Sequence, residues 1–316
     1  MYASDPAAVS SGPGEAVRPD PPRHRALEAV GHTSLLELRR LVATVGGGFE
    51  LWAKAEFENP SGSVKDRAAA SIVEEALRHG ELPPGRALLD ASSGNTAVAY
   101  ATLGARLGFP VRLYVPRNAN PARLARLRAL GADLVLTDPG EGTDGAQRLA
   151  RETARAHPEK YFYADQYNNP ANPLAHYRGT GPEIWEQTHG RVTVLVAGVG
   201  TGGTISGTSR FLKEKNPSVR VIGVEPEGPM HGLEGLKHLP TALRPSTYDA
   251  RCVDETRRLE TEVAQRTQSD LRRVEGLVVG PSAGAAVAVA LDVGRATPGA
   301  VIVTLLPDRG TEEAPP

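Results

Sequence analysis

The run Val194-Leu-Val-Ala-Gly-Val-Gly-Thr-Gly-Gly-Thr204 is an apolar strand pattern that leads through four glycines (Gly198, Gly200, Gly202 and Gly203) into a helical pattern. Glycine lets backbone N–H groups approach an anion with no Cβ in the way, and the start of the following helix adds favourable partial charge. The stretch reads as a phosphate cradle. It is not a Walker loop, because no Gly-Lys-Ser/Thr follows. Gly198, Gly200 and Gly203 also fit the dinucleotide fingerprint, and Glu225 ends the next strand pattern, where a ribose-binding acid belongs; an NAD-dependent oxidoreductase is therefore the rival reading. The hydroxyls of Thr201 and Thr204 suit a terminal phosphate monoester better than a bridged pyrophosphate.

Three more stretches carry chemistry. Asp90-Ala-Ser-Ser-Gly-Asn-Thr96 is a second strand-to-helix junction, where Ser92, Ser93, Asn95, Thr96 and backbone N–H groups form a receptor suited to a carboxylate. In Glu58-Asn-Pro-Ser-Gly-Ser-Val-Lys-Asp-Arg67, Lys65 enters a helix among small apolar neighbours. Sparse solvent and a nearby helix start disfavour its charged form, so the free amine becomes available to hold a carbonyl group as an imine. Asp66 and Arg67 read as first-turn and salt-bridge residues, and Lys54, inside a strand pattern, is the second-ranked lysine. In Val278-Val-Gly-Pro-Ser-Ala-Gly-Ala-Ala286, Ser282 offers a hydroxyl to a heterocyclic nitrogen or acts as a helix cap.

These stretches need elements to hold them. From Glu28 onward, short apolar runs alternate with amphipathic stretches, punctuated by Gly, Pro, Asn or Asp, which indicates an α/β protein. Strands are expected at 50–57, 87–90, 111–115, 133–137, 161–165, 192–198, 219–224, 277–280 and 300–306. Helices are expected at 66–79, 96–107, 121–130, 144–156, 181–188, 204–215, 255–274 and 283–293. Continuous Val, Leu and Ile runs suit strands covered on both faces, and the connection rules favour open parallel sheets. There are too many strands for one compact sheet. The expectation is two lobes, a larger one of 25–58 with 176–316 and a smaller, mobile one of 59–175, after a flexible tail at 1–24.

Composition narrows the function. Thirty-six Lys and Arg stand against 37 Asp and Glu, so the chain is not built to bind a polyanion such as nucleic acid. No apolar run approaches the roughly 20 residues that cross a bilayer. The single cysteine, Cys252, excludes a disulfide framework and cysteine-based metal clusters, and the scattered histidines suggest no metal; a cytoplasmic location is expected. Only six of the 36 basic residues are lysines, which draws attention to chemistry that arginine cannot perform.

The motifs occur together, and in the same order, in the fold-type II pyridoxal-phosphate enzymes, and the chain resembles their cysteine synthase and cystathionine β-synthase family. The resemblance extends from Val30-Gly-His-Thr-Ser-Leu-Leu-Glu-Leu to Leu305-Leu-Pro-Asp-Arg-Gly310 and includes Asp-Gln-Tyr-Asn-Asn-Pro-Ala-Asn-Pro from Asp165. It implies two open, mostly parallel sheets with pyridoxal 5'-phosphate in the cleft between the lobes. It further implies that Lys65 forms the internal aldimine and that Gly200, Thr201, Gly202, Gly203 and Thr204 bind the phosphate. Asn95 is implied at the ring hydroxyl, Ser282 at the pyridine nitrogen, and Ser92, Ser93, Gly94, Thr96 and Gln166 at the substrate carboxylate. The implied activity is β-replacement on an O-activated serine through an α-aminoacrylate, with O-acetylserine and sulfide giving cysteine; O-phosphoserine or serine as donor, or an amine or homocysteine as nucleophile, are the alternatives. A homodimer with small-molecule substrates is the implied assembly.

The sequence departs from the family's pattern at His32 and Ser34, where Asn and Pro are usual, at Ala97, and most of all between Pro226 and Asp249. In the family this last region faces the second substrate, so His231, Lys237 and His238 are candidates to approach it.

Overall fold

The structure, a computed structural model, describes residues 26–310. The expected tail at 1–24 lies outside them. The first half of the described chain runs β1 (Leu35–Glu37), α1 (Arg39–Thr44), β2 (Glu50–Ala55), α2 (Lys65–Arg78), β3 (Ala87–Ala91), α3 (Asn95–Leu107), β4 (Val111–Pro116), α4 (Pro121–Ala129), β5 (Asp133–Thr137), α5 (Gly142–Ala156) and β6 (Tyr161–Tyr163). It continues with α6 (Ala171–Ala175), α7 (Gly181–Gln187), β7 (Val194–Gly198), α8 (Gly203–Lys215), β8 (Arg220–Pro226), β9 (Glu255–Leu259), α9 (Thr261–Asp270), α10 (Pro281–Ala296) and β10 (Val301–Leu306). A five-residue π-helical turn at His176–Thr180 joins α6 to α7, and another at Leu271–Glu275 extends α9.

Two sheets organise these elements, a six-stranded one ordered β1-β2-β10-β7-β8-β9 and a four-stranded one ordered β5-β4-β3-β6. Every pairing is parallel except β1 with β2. The two-residue period of a strand sorts side chains onto opposite faces. Leu51 and Ala53 of β2 and Ile302 and Leu306 of β10 turn toward Val287, Ala290 and Leu291 of α10. Trp52 of β2 and Val303 and Leu305 of β10 lie on the other face, with Leu195, Ile205 and Ile184. In the smaller sheet, Leu88 and Leu113 meet Ala69, Ile72, Val73 and Ala76, a helical i, i+3, i+4, i+7 stripe of α2. Leu89 and Tyr114 cover the opposite face with Ala146 and Ala150 of α5.

Two expectations need correction. Residues 255–274 are not one helix: β9 occupies Glu255–Leu259 and pairs in parallel with β8 before α9 begins. Its half-buried positions, Glu255, Arg257 and Leu259, alternate with exposed Thr256 and Arg258. Charged residues keep such an outer strand from pairing with other chains, which is why its composition imitates a solvated helix. Residues 277–280 are not a strand. Their polar backbone groups are taken by other partners: Leu277 N–H donates to Leu271 O at 3.1 Å, Gly280 N–H to Asp308 O at 3.2 Å, and Val279 O accepts from Gln268 Nε2 at 2.6 Å.

The parallel strands all point the same way within each sheet, so the loops leaving β3, β7 and β10 carry the motifs singled out above to the carboxyl edges, where ligands bind in open α/β sheets. Leu195 is fully buried in β7, the strand that leads into the glycine loop. Leu195→Ala is expected to lower stability in denaturant unfolding by about 2–5 kcal/mol through the cavity it leaves; an unchanged midpoint would contradict the packing described.

Candidate active site

Lys65 is the first residue of α2, and its neighbours fix that helix start. Asp66 accepts from Ser61 N–H at 3.0 Å, Ser61 Oγ at 2.6 Å and Ser63 N–H at 3.3 Å, folding the preceding loop back onto the helix. Arg67 donates to Glu56 from Nε at 2.7 Å and to Glu183 from Nη1 at 2.7 Å. Lys54 completes the group with an ion pair to Glu183 at 2.7 Å and a hydrogen bond to Thr33 O. Lys54 and Glu56 side chains have 0% exposure and Arg67 4%, so this is a buried charge network, and it accounts for the second lysine seen in an apolar setting. Lys54 is structural, whereas Lys65 lines the cleft.

A cavity of roughly 290 Å³ lies at the carboxyl edges of both sheets. Lys65, Ser92, Ser93, Gly94, Asn95, Thr96, Gln166, Gly200, Thr201, Gly202, Thr204 and Ser282 all line it. Gly203 alone of the expected site residues does not; it packs behind the loop against Asn172. Lys65 is half-buried and has no carboxylate within ion-pairing distance among the described residues. Burial pushes its amine below the ordinary lysine range, and the charge of Asp308 opposes this.

The glycine loop is shaped by crowding. A Cβ at Gly200 would overlap the Gly235 carbonyl oxygen, one at Gly203 the Asn172 amide, and one at Gly202 the Tyr248 side chain, while Gly202 also has φ +83°. Thr201 Oγ1 accepts from Asn172 Nδ2 at 3.1 Å, and Thr204 Oγ1 lies 3.2 Å from His176 Nε2. His176 is buried, and that burial, with the charges of Arg67 and Lys65, holds it well below the usual histidine range, so its neutral ring orients Thr204. On the facing sheet, Thr96 Oγ1 donates to Gln166 Oε1 at 2.7 Å, and Gln166 N–H donates to Asp90 Oδ2 at 3.3 Å. Burial lifts Asp90 to about 7 against the hydrogen bonds it accepts from Ala91 and Gln166 N–H groups.

Of the three residues proposed at the second substrate, Lys237 alone lines the cavity, with Nζ 4.7 Å from the Tyr167 ring centroid. Burial lowers its pKa, and Asp144 opposes the shift. His231 Nδ1 instead accepts from Leu233 N–H at 3.1 Å, and His238 Nδ1 pairs with Thr241 Oγ1 at 2.8 Å. Glu234, which lines the cavity, pairs with Arg123 of α4. Asp308 and Tyr167 were missed in the sequence although both line the cavity. The signal for Asp308 was its place directly after the last parallel strand; Tyr167 follows Gln166 within an otherwise recognised motif. Glu225, the acid of the dinucleotide reading, is buried in β8 and does not line the cavity.

Residues 26–308 match the family model described as "Pyridoxal-phosphate dependent enzyme". The chain is similar to the cysteine synthase of Aquifex aeolicus, 47% identical over 293 residues that cover 91% of this chain and 90% of that protein. It is similar to cysteine synthase B of Salmonella typhimurium, 44% identical with 90% and 92% covered. Its fold is similar to the crystal structure of a cysteine synthase from Entamoeba histolytica, with TM-score 0.86, 33% identity, and 97% of this chain and 91% of that one covered.

The buried network gives a pH test. Burial raises the Glu183 carboxyl, but hydrogen bonds and charge from Arg67 and Lys54 overcome it, so it falls from 4.5 to about 2. A lowered carboxyl pKa contributes stability above the unfolded value and loses it as pH falls through the folded one. The melting temperature is expected to drop from about pH 4.5 toward pH 2 and to do so less steeply in Glu183→Gln. That variant should also lose about 3–5 kcal/mol at neutral pH by leaving Lys54 and Arg67 short of a counter-charge. Parallel acid profiles for the two proteins would contradict the assignment.

Proposed function

The chain belongs to the pyridoxal-phosphate dependent enzyme family, and from that premise we propose that it makes L-cysteine and acetate from O-acetyl-L-serine and sulfide. The observation that carries this reading is that one cavity gathers a desolvated lysine amine, a glycine-walled N–H cradle and a hydroxyl-rich helix start. These residues fit the cofactor. The crowding at Gly200, Gly202 and Gly203 leaves backbone rather than side chains to meet a phosphate, and Thr201 and Thr204 add hydroxyls. Lys65 would hold the aldehyde carbon, Asn95 the ring hydroxyl, and Ser282 the ring nitrogen.

Pyridoxal phosphate, when bound, draws electrons from the amino acid's Cα and so eases loss of both the Cα proton and a β-substituent. A serine hydroxyl at the ring nitrogen, unlike a carboxylate, does not enforce ring protonation, which favours departure of a β-substituent over transamination. Ser92, Ser93, Gly94, Thr96 and Gln166 bind the substrate carboxylate and orient Cα toward Lys65. The Lys65 amine takes the Cα proton and later returns it to the same carbon; its lowered pKa keeps the unprotonated form available for the first of these steps. Lys237, on the 226–249 loop, meets the incoming sulfide, and its burial beside Tyr167 supports that role. Division into a larger lobe of 25–58 with 176–316 and a mobile smaller lobe of 59–175 accords with the two sheets. Closure of the smaller lobe keeps water from the reacting carbons. A homodimer in the cytoplasm goes with this reading.

Incubation of the purified full chain with pyridoxal phosphate, O-acetylserine and sulfide is expected to yield cysteine. Lys65→Ala should lower the rate by about 100-fold to 10,000-fold. Thr96→Val should weaken donor binding chiefly through KM. Cysteine production undiminished in Lys65→Ala, or none from the wild type, would overturn the reading.

A further inference from the structure

Strand β10 ends at Leu306, and the next two residues run beneath the cavity. Three segments tie their backbone down. Val64 N–H donates to Pro307 O at 2.7 Å, Ser63 and Asp308 form an isolated antiparallel bridge, and Gly280 N–H donates to Asp308 O at 3.2 Å. Gly280 also sits so close under the Asp308 carboxyl group that a Cβ there would overlap Oδ1. Held from these sides, the Asp308 side chain lines the cavity, where Oδ2 accepts from Asn95 Nδ2 at 2.5 Å.

Asp308 and Lys65 share that cavity, and neither has an ion-pair partner within 4.0 Å among the described residues. They act on each other at longer range. Asp308 is the one charge that opposes the desolvation of the Lys65 amine. Asp308 is itself lifted to about 6 by burial, while the Asn95 hydrogen bond and the Lys65 charge pull it down. The remaining charges facing it are Glu234, which raises it, and Arg123, which lowers it; they are paired with each other at the mouth of the cleft.

We propose that Asp308 is a positioning residue of the cleft, whose carboxylate orients the Asn95 amide and sets the pH at which Lys65 gives up its proton. The inference rests on Lys65 being the lysine that receives the cofactor. An ammonium group in this cavity would otherwise have desolvation acting on it unopposed, and its pKa would fall further than it does. With Asp308 ionised, part of that loss is recovered and the amine stays charged to higher pH. Below about 6 the carboxyl is protonated and the support disappears. The two groups therefore titrate as a linked pair rather than independently. A neutral side chain at position 308 removes the coupling but leaves Lys65 in place.

The test follows covalent capture of pyridoxal phosphate by the full chain after its own cofactor has been removed. Capture condenses the Lys65 amine with the aldehyde and releases water, so its rate reports the fraction of unprotonated amine. Borohydride quenching followed by peptide mass mapping identifies the lysine labelled. Wild type, Asp308→Asn and Asp308→Glu are compared over the whole pH range in which all three stay folded. The midpoint of the rate profile in Asp308→Asn is expected to move to lower pH by about one unit or more, the size of a neighbouring-charge effect. Asp308→Glu should restore the wild-type midpoint. Superimposable wild-type and Asp308→Asn profiles would overturn the proposal, as would a shift in Asp308→Glu as large as that in Asp308→Asn. Loss of capture at every pH in Asp308→Asn would overturn it too, because a charge-setting role moves a midpoint and does not abolish the reaction. A wild-type label on any lysine but Lys65 would instead defeat the reading on which the proposal rests, and the same peptide map distinguishes the two failures.

Discussion

A lysine amine kept in a cleft with no ion-pair partner among the described residues is the constraint on which the rest of this structure depends. Left free, a long cationic side chain swings its head into water. Lys65 is denied that freedom because the two residues after it are immobilised. Asp66 folds the Ser61–Ser63 loop onto the helix start, and Arg67 is locked between Glu56 and Glu183. That lock is itself charged and buried, so it holds only while every member is present; breaking such a pair costs about 3–5 kcal/mol. Lys54 spends its charge there and is unavailable to the cleft.

The same economy of space governs the loops that face Lys65. The glycine turn after β7 is pressed against Gly235, Tyr248 and Asn172, and the turn before α10 is pressed against Asp308. The packing is close enough that a side chain at Gly200 would have to displace a backbone carbonyl oxygen, and one at Gly203 or Gly280 the side-chain oxygen of Asn172 or Asp308. Rigid walls of this kind position N–H groups and hydroxyls without relying on flexible side chains. The facing sheet is tuned more by hydrogen bonding. Asp90, Gln166 and Thr96 form a chain from the buried end of β3 to the cavity, so the polar receptor is supported from behind.

Much of this was legible in the sequence because strand-to-helix junctions rich in glycine, serine and asparagine announce themselves locally. The motifs in their order, Lys65, Ser92 to Thr96, Gln166, Gly200 to Thr204 and Ser282, mark the residues that line the cleft, with Gly203, packed behind its loop, the exception. What stayed hidden depended on partners distant along the chain. Nothing near Lys54 reveals Glu183, so Lys54 stayed a second-ranked candidate until β2 and α7 were brought together. Asp308 was not singled out, since its orientation comes from Ser63, Gly280 and Asn95. Strand β9 looked helical because its charged residues serve an edge rather than a solvated helix face. Lys237, His231 and His238 could be ranked only once the loop's path showed which of them reaches the cavity.

The most direct test of the central claim is a crystal structure of the full chain grown with pyridoxal phosphate. Electron density is expected to run continuously from Lys65 Nζ to the cofactor, with its phosphate against the backbone of 200–204 and its ring between Asn95 and Ser282. Density joined to Lys54 or Lys237, or a phosphate seated at Ser92–Thr96 with Lys65 unmodified, would contradict it.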